Sequence, residues 1–421
     1  MVSAISSGRP ARTFNYAMLG MIAGGLIMTA ALGVRQTFGL FIGPFSYDHG
    51  LPVTVIAFAI ALHNLVWGFA QPFAGAAADR YGAAPVVAFG AIVFAIGLAV
   101  AGVSSSGVML VLSMGVLVGI GVSCTAYGVI MPAVGRAASP EKRSMAMGLV
   151  SAAGSVGQVL LVPVAQGVSE LSGTAMAFTV LAGCMLLVAP FGILLDRGSS
   201  AGSGGVLAHE PAPLPIFKAA AQAFGNRGYC LLTIGFFTCG FQLAFITTHL
   251  PNYLQLCHMP TGLGATALAI IGLFNMLGCW GLGWLGGHFR QQKLLGWLYL
   301  MRSAAIAAFF LLPKTETSVI IFAATLGLAW LGTVPLTSGL VGRVFGMRNL
   351  GTLFGLCFLN HQVGAFLGAW LGGYLFDLTG SYSIVWIATA VAGVIAAALH
   401  FAINDEPVTL ASAPVGLPAA A

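Results

Sequence analysis

Charge is almost missing from this chain, and that constrains its fold more than any motif. Only 6% of the 421 residues are Asp, Glu, Lys or Arg, while 58% are hydrophobic. A soluble globular chain carries roughly 25% charged residues. The apolar residues fall in runs of about twenty, the length that crosses a hydrocarbon core as a helix. Transmembrane barrels instead use segments of about ten residues with alternating polarity. In lipid the backbone must satisfy its own hydrogen bonds, so the runs are read as helices. The expected class is an all-α integral membrane protein.

Twelve candidate spans lie between charged or Pro/Gly-rich breaks: 17–45, 54–77, 85–103, 108–131, 145–169, 175–195, 228–254, 263–286, 294–313, 318–341, 351–376 and 383–403. One long polar segment, rich in Gly, Ser and Pro, separates the sixth from the seventh and reads as a linker. The expected organisation is a tail over 1–16, a six-helix half over 17–195, a linker over 196–227, a second half over 228–403 and a tail over 404–421.

With the N-terminus placed in the cytoplasm, Arg9, Arg12, Arg80, Arg136, Lys142, Arg143, Arg197, Lys218, Arg227, Arg290, Lys293, Arg343 and Arg348 all fall inside. Only Lys314 falls outside, and Arg35 and Arg302 lie within spans. This is the positive-inside bias of a multi-pass inner (plasma) membrane protein with both termini cytoplasmic. It also removes nucleic acid as the reason for the net charge of +6. The N-terminal tail lacks a cleavable signal pattern, so the first helix is expected to direct insertion. Seven cysteines show neither CxxC nor Cys/His ligand spacing and read as small buried hydrophobes. No metal and no cofactor is expected.

The chain repeats itself at an offset of 207. Gly33, Phe38 and Pro44 recur as Gly240, Phe245 and Pro251, with Gln242 at the place of Arg35. Gly135-Arg136, Gly148 and Gly157 recur as Gly342-Arg343, Gly355 and Gly364. Two six-helix halves of the same orientation are parallel repeats. That arrangement resembles the major facilitator superfamily, which implies twelve transmembrane helices as two six-helix pseudo-repeats. The loop "GAAADRYGAAP" resembles the superfamily's signature between helices 2 and 3, with Gly75, Asp79, Arg80 and Gly82 in place. Its two trailing basic residues are replaced by Ala83 and Ala84, and the second half has Gly287 where the Asp would stand. The resemblance implies a cytoplasmic gate at Gly75, Asp79, Arg80 and Gly82, with Arg136 as a partner for Asp79.

Within that superfamily, "RQTFGLFIGPF", "WLGTVPLTSGLVGRVFG" and "GTLFGLCFLNHQVGAFLGAWLGG" resemble the bacterial branch of the monocarboxylate transporter and oxalate/formate antiporter group. That group carries an arginine on helix 8, four residues after an Asp or Asn. Here Asn275 is followed by Cys279, so the position is empty of charge.

Arg35 is the candidate for binding the anionic head of a substrate, because a guanidinium reads a carboxylate with two parallel hydrogen bonds and no acidic residue lies in mid-membrane. Snorkelling, or capping a helix break near Gly39 and Gly43, is the structural alternative. Tyr127, Gln158, Gln242, Asn275, Arg302, Trp330, Asn360 and His361 complete the candidate substrate-binding set. For Arg302, on a helix expected to be peripheral, pairing to carbonyls competes with that role. Histidine titrates near neutral pH, so His361 is the first candidate for proton coupling. His63 is the second, with interhelical hydrogen bonding as its plainer role.

The expected function is a secondary transporter of a small organic anion, a monocarboxylate by resemblance, working by alternating access with proton symport or anion exchange. The alternative is a facilitator-type carrier of amphipathic, drug-like or siderophore cargo. No nucleophile–base pair, metal cluster or phosphate-binding loop supports an enzyme or a primary pump. The expected partners are the substrate, a proton and the lipid bilayer. Chain length and the repeat fit a monomer.

Overall fold

A computed structural model describes residues 16–41, 44–45, 50–51, 53–202, 213–260 and 263–408. The tail before Tyr16, with Arg9 and Arg12, lies outside the described residues, as do the linker stretch 203–212 and the tail from 409. The described residues form twelve long helices and contain no strand. They are α1 Tyr16–Gln36, α2 Val53–Tyr81, α3 Ala83–Gly102, α4 Gly107–Ala137, α5 Arg143–Ser172 and α6 Thr174–Ser199. After a short linker helix at Ile216–Phe224 come α7 Arg227–Leu256, α8 Leu263–His288, α9 Gln291–Leu311, α10 Glu316–Phe345, α11 Leu350–Thr379 and α12 Ser383–Phe401. Among the described residues, eleven helices are long and apolar enough to cross a membrane by composition. Helix α2 carries the polar residues His63, Asn64 and Gln71 along its length.

Helix α1 is shorter than its apolar run. It stops at Gln36, where the Thr37 N–H and hydroxyl both donate to the Val34 carbonyl at 3.1 and 2.8 Å, and a 3-10 turn follows over Phe38–Phe41. Hydropathy carries straight across this change, so composition placed the end of the run at residue 45. The correction puts Arg35 in the last turn of a helix, at the negative end of the helix dipole.

Helices α4 and α10 are broken near their middles. Ala126 leaves helical geometry between Thr125 and Tyr127, and the chain unwinds between Leu328 and Thr333. A break inside a membrane frees backbone groups that need partners. Gln71 on α2 donates to the Ser123 carbonyl at 2.8 Å, and Asn275 on α8 accepts from the Leu331 N–H at 2.9 Å. One amide side chain from a neighbouring helix thus braces each break.

Glycines at repeated positions do the same work in both halves. A Cβ on Gly33 or Gly157 would run into the backbone of the other helix where α1 crosses α5, and Gly240 and Gly364 repeat this where α7 crosses α11. Gly148 meets the backbone of α8 at Cys279 and Gly283, while its counterpart Gly355 meets α2 at Pro72. One set of glycines therefore closes each bundle, and the other joins the two bundles.

The six helices α1–α6 pack as one bundle and α7–α12 as another. Between bundles, α2 packs on α11 and α5 on α8, with contacts running from mid-helix to the linker end. Among the described residues α1 and α7 form no packed interface. The bundles are thus closed at the linker end and parted at the far end. Phe58, Phe73, Phe89, Trp280 and Trp297 point outward on the lipid-facing surface.

Candidate functional site: a two-arginine core between the bundles

Arg35 lies level with Asn64, about 25 Å along α2 from its Tyr81 end. Its Nε donates to His63 Nε2 at 3.2 Å, and one Nη donates to Asn64 Oδ1 at 2.9 Å. The other Nη reaches Gln36 Oε1 at 3.4 Å, and the guanidinium lies over the Trp67 ring, 5.4 Å from its centroid. Every partner is neutral, and the residue stays half-buried.

The α2 ladder of partners follows from helical spacing, since His63, Asn64 and Trp67 share one face. His63 Nδ1 meets the Ile60 carbonyl, which can only accept, so Nδ1 carries the proton. Nε2 then accepts from Arg35. In this geometry His63 is a neutral orienting group for the arginine and occupies both ring nitrogens.

The same face reaches the other bundle. Gln362 on α11 donates to the Asn64 carbonyl at 3.1 Å, and its Oε1 is 3.0 Å from His361 Nδ1. His361 is buried, stacks on Phe358 at 5.2 Å and lies beside Cys239 of α7. Phe358 in turn packs against Trp67 at 4.8 Å and Tyr127 at 6.0 Å. A continuous set of rings and amides thus joins Arg35 to His361.

Arg302 faces inward. It is fully enclosed, and its Nη1 lies 3.4 Å from Cys239 Sγ on α7. Thr333 Oγ1, at the restart of α10, lies 3.2 Å from the same sulfur. Although α9 was expected at the periphery, this side chain crosses toward the interior and lies over Tyr299, 5.6 Å from the ring centroid. Its Nε and Nη2 have no hydrogen-bond partner among the described residues.

The remaining candidates divide by engagement. Tyr127 and Trp330 sit at the two helix breaks, and both are buried. Asn275 is occupied within the protein: it donates to Ser155 Oγ at 2.7 Å and accepts from Leu331 and Cys279. Gln242, the repeat counterpart of Arg35, instead ties α7 to the Thr389 carbonyl of α12 at 2.9 Å. Asn360 donates to the Thr233 carbonyl at 2.7 Å, and Gln158 is half-buried. Arg35 and Gln242 are therefore not brought together.

At the linker end, the fully buried Asp79 carboxylate accepts from the Gly351 N–H at 3.1 Å and from the Thr352 N–H and hydroxyl at 2.8 and 3.0 Å. A carboxylate of one bundle thus caps the N-terminus of α11 in the other. Arg136 stands 3.7 Å from Asp79 and donates to Ser199 at 3.1 Å. Gly75 lets α2 touch the α11 backbone at Gly351. Gly82, at φ +86°, starts α3, whose Ala83 and Ala84 N–H groups donate to Asp196 at 2.7 and 2.8 Å. Arg80 turns outward, over its neighbour Tyr81.

The α5–α8 contact has no carboxylate at the matching place, where Gly287 packs near the Glu141 carbonyl. The repeat partner of Arg136, Arg343, pairs with Asp405 beyond α12 at 3.2 Å, as does Arg290 at 3.6 Å. Asp196, Asp405, Gln71, Cys239 and Thr333 were absent from the candidate set. Only the Gly-Arg repeat, at 135–136 and 342–343, pointed toward any of them.

Two bundles of six helices, closed at one end around polar groups at mid-depth, form the architecture of an alternating-access carrier. The family model of the Major Facilitator Superfamily matches residues 24–366, and the chain belongs to that superfamily of transporters. Among its relatives, the MFS-type transporter YcxA of Bacillus subtilis is 24% identical over 366 residues, covering 83% of this chain and 86% of the relative. Monocarboxylate transporter 13 of Rattus norvegicus is 24% identical over 388 residues, covering 88% and 86%. The structure of the E. coli fucose:proton symporter FucP superposes with a TM-score of 0.65 at 15% identity, over 93% of this chain and 100% of that one.

Proposed function

We propose that this transporter carries a small organic anion, a monocarboxylate, by proton symport or anion exchange, with Arg35 receiving the carboxylate. The observation that carries this reading is the arginine's company: a half-buried guanidinium at membrane depth, held by His63, Asn64, Gln36 and Trp67, with no anion among them. A cation at that depth costs about 3 kcal/mol on insertion scales. A carboxylate arriving from solution supplies the missing counter-charge and leaves with it when the site turns over. The likeness to a protein named monocarboxylate transporter supports the same class. His361, Asn360 and Gln158 complete the binding surface from the opposite bundle and α5. By the positive-inside rule the linker end faces the cytoplasm, so this structure corresponds to a carrier open to the outside of the inner membrane.

The test is uptake into proteoliposomes of labelled lactate, pyruvate, oxalate, formate and a dicarboxylate, with and without an inward proton gradient, for the natural protein and Arg35→Gln. Saturable uptake of one acid, lost in the variant, is the expected result. Equal transport by the variant, or movement of uncharged amphipathic cargo alone, would sink the assignment.

A further inference from the structure

Arg302 poses a second charge problem, and its geometry answers it differently from that of Arg35. The guanidinium is fully enclosed and forms no ion pair among the described residues. Arginine does not release its proton in proteins, and an unpaired buried charge is strongly destabilising. Its one hydrogen-bond partner among the described residues is the sulfur of Cys239. That sulfur also meets the Thr333 hydroxyl at 3.2 Å. A guanidinium N–H can only donate, so the sulfur accepts from Arg302, whereas either atom can donate in the Thr333 contact. The sulfur thus faces an enclosed cation with no other hydrogen-bond partner among the described residues, an arrangement that suits a thiolate.

We propose that Cys239 is the counter-anion of Arg302, held as a thiolate, and that it takes up the coupling proton when the transported anion binds. The second half rests on the anion-transport reading above. A carboxylate entering the site brings a second negative charge toward the thiolate. Like charges in a low dielectric are costly, and the sulfur relieves the cost by forming an S–H bond with a proton from water on the open side. When the anion leaves on the other side, the S–H bond breaks, the proton passes to water there, and Arg302 regains its thiolate. One anion and one proton move together, with no carboxylate needed in the membrane.

The groups around the sulfur suit this role. From α9 come Arg302 and Tyr299, from α11 His361 and from α4 Tyr127; α10 contributes the uncharged Thr333. None is an Asp or Glu. His361 lies beside the sulfur, within hydrogen-bonding reach of it, and is buried. Through Gln362 and Asn64 it connects to Arg35. This places the proton-accepting sulfur at the end of a polar path that begins at the anion site.

The experiment is infrared difference spectroscopy of the S–H stretch on the full-length protein in nanodiscs, natural protein against Cys239→Ser, at neutral and acidic pH. The expected spectrum has no Cys239 S–H band at neutral pH and gains one on acidification, while Arg302→Gln shows the band at neutral pH. A Cys239 S–H band in the natural protein at neutral pH overturns the proposal, whether or not Arg302→Gln folds. Uptake gives the second readout. One pH unit of gradient supports about tenfold accumulation in a one-to-one symport, and Cys239→Ser is expected to lose that response. A retained response overturns the coupling role. If the band behaves as expected but no acid is transported, the thiolate–guanidinium pair stands, and the anion reading falls together with the coupling that rests on it.

Discussion

The carboxylate of Asp79, on the last turns of α2, receives both the backbone N–H and the hydroxyl of Thr352, on the first turn of α11, at 2.8 and 3.0 Å. This contact crosses between the bundles, so it must break whenever the linker end opens. Hydrogen bonds to a charged group contribute about 1.5–3 kcal/mol each. Asp79→Ala is therefore expected to shift the population toward the linker-end-open state by at least about tenfold. Spin labels on α2 and α11 near the linker would report it as a longer distance. An unchanged distance distribution would show that the cap does not hold the gate.

Glycine substitutions separate close crossing from simple flexibility. Gly75→Ala places a methyl against the Gly351 carbonyl, where backbone cannot yield. The variant is expected to keep the linker end ajar and to lose most transport while still inserting in the membrane. Gly167→Ala on α5 has nothing within 4 Å and is the control. It should transport normally and melt no lower than the natural protein, since alanine favours helix by about 1 kcal/mol over glycine.

Asn275 is expected to matter for stability more than for substrate affinity. Its side chain braces the break in α10 and bridges to Ser155 in the other bundle. Asn275→Ala leaves the Leu331 N–H without its partner, which costs about 1–3 kcal/mol. A clear fall in melting temperature in detergent, with a KM for the transported acid within about twofold of the natural value, is the expected pair of results. A large rise in KM without loss of stability would return Asn275 to the binding surface.

Trp67 provides an optical readout of Arg35. The guanidinium lies over its ring, and a carboxylate drawing that cation away should change Trp67 emission. Titration with the transported acid is expected to give a saturable fluorescence change that Trp67→Phe removes. Arg35→Lys keeps the charge but loses the fork that holds His63 and Asn64 together. Its affinity is expected to fall by about tenfold or more. Unaltered affinity would mean that a point charge suffices.

Much of this architecture was legible because membranes leave few alternatives. Apolar runs of the right length become helices, and the offset of 207 located glycines whose partners the structure supplies. Gly33 with Gly157, and Gly240 with Gly364, are the same crossing built twice. What escaped the sequence was local and polar. The stop of α1 at Gln36 depends on Thr37 folding back on Val34, which hydropathy does not register. The breaks at Ala126 and after Leu328 fall in stretches without charge, so their braces, Gln71 and Asn275, carried no signal of what they brace. Cys239 looked like a small hydrophobe because only the fold brings Arg302 to it. Asp196 and Asp405 lie at helix ends, where acidic residues attract no notice until the N-terminus of α3 and the side chain of Arg343 are found against them.

The neutral surroundings of Arg35 have an electrical consequence. An empty carrier that swings this site from one side of the membrane to the other moves a positive charge through part of the field, and on the proposed one-to-one anion and proton symport the loaded carrier moves the same net charge. Each elementary charge crossing the full field is worth about 2.3 kcal/mol per 100 mV. The return of the empty site is then a step that feels the membrane potential. A cell that is negative inside draws that positively charged site inward, so the voltage itself sets which face the vacant carrier presents while it waits.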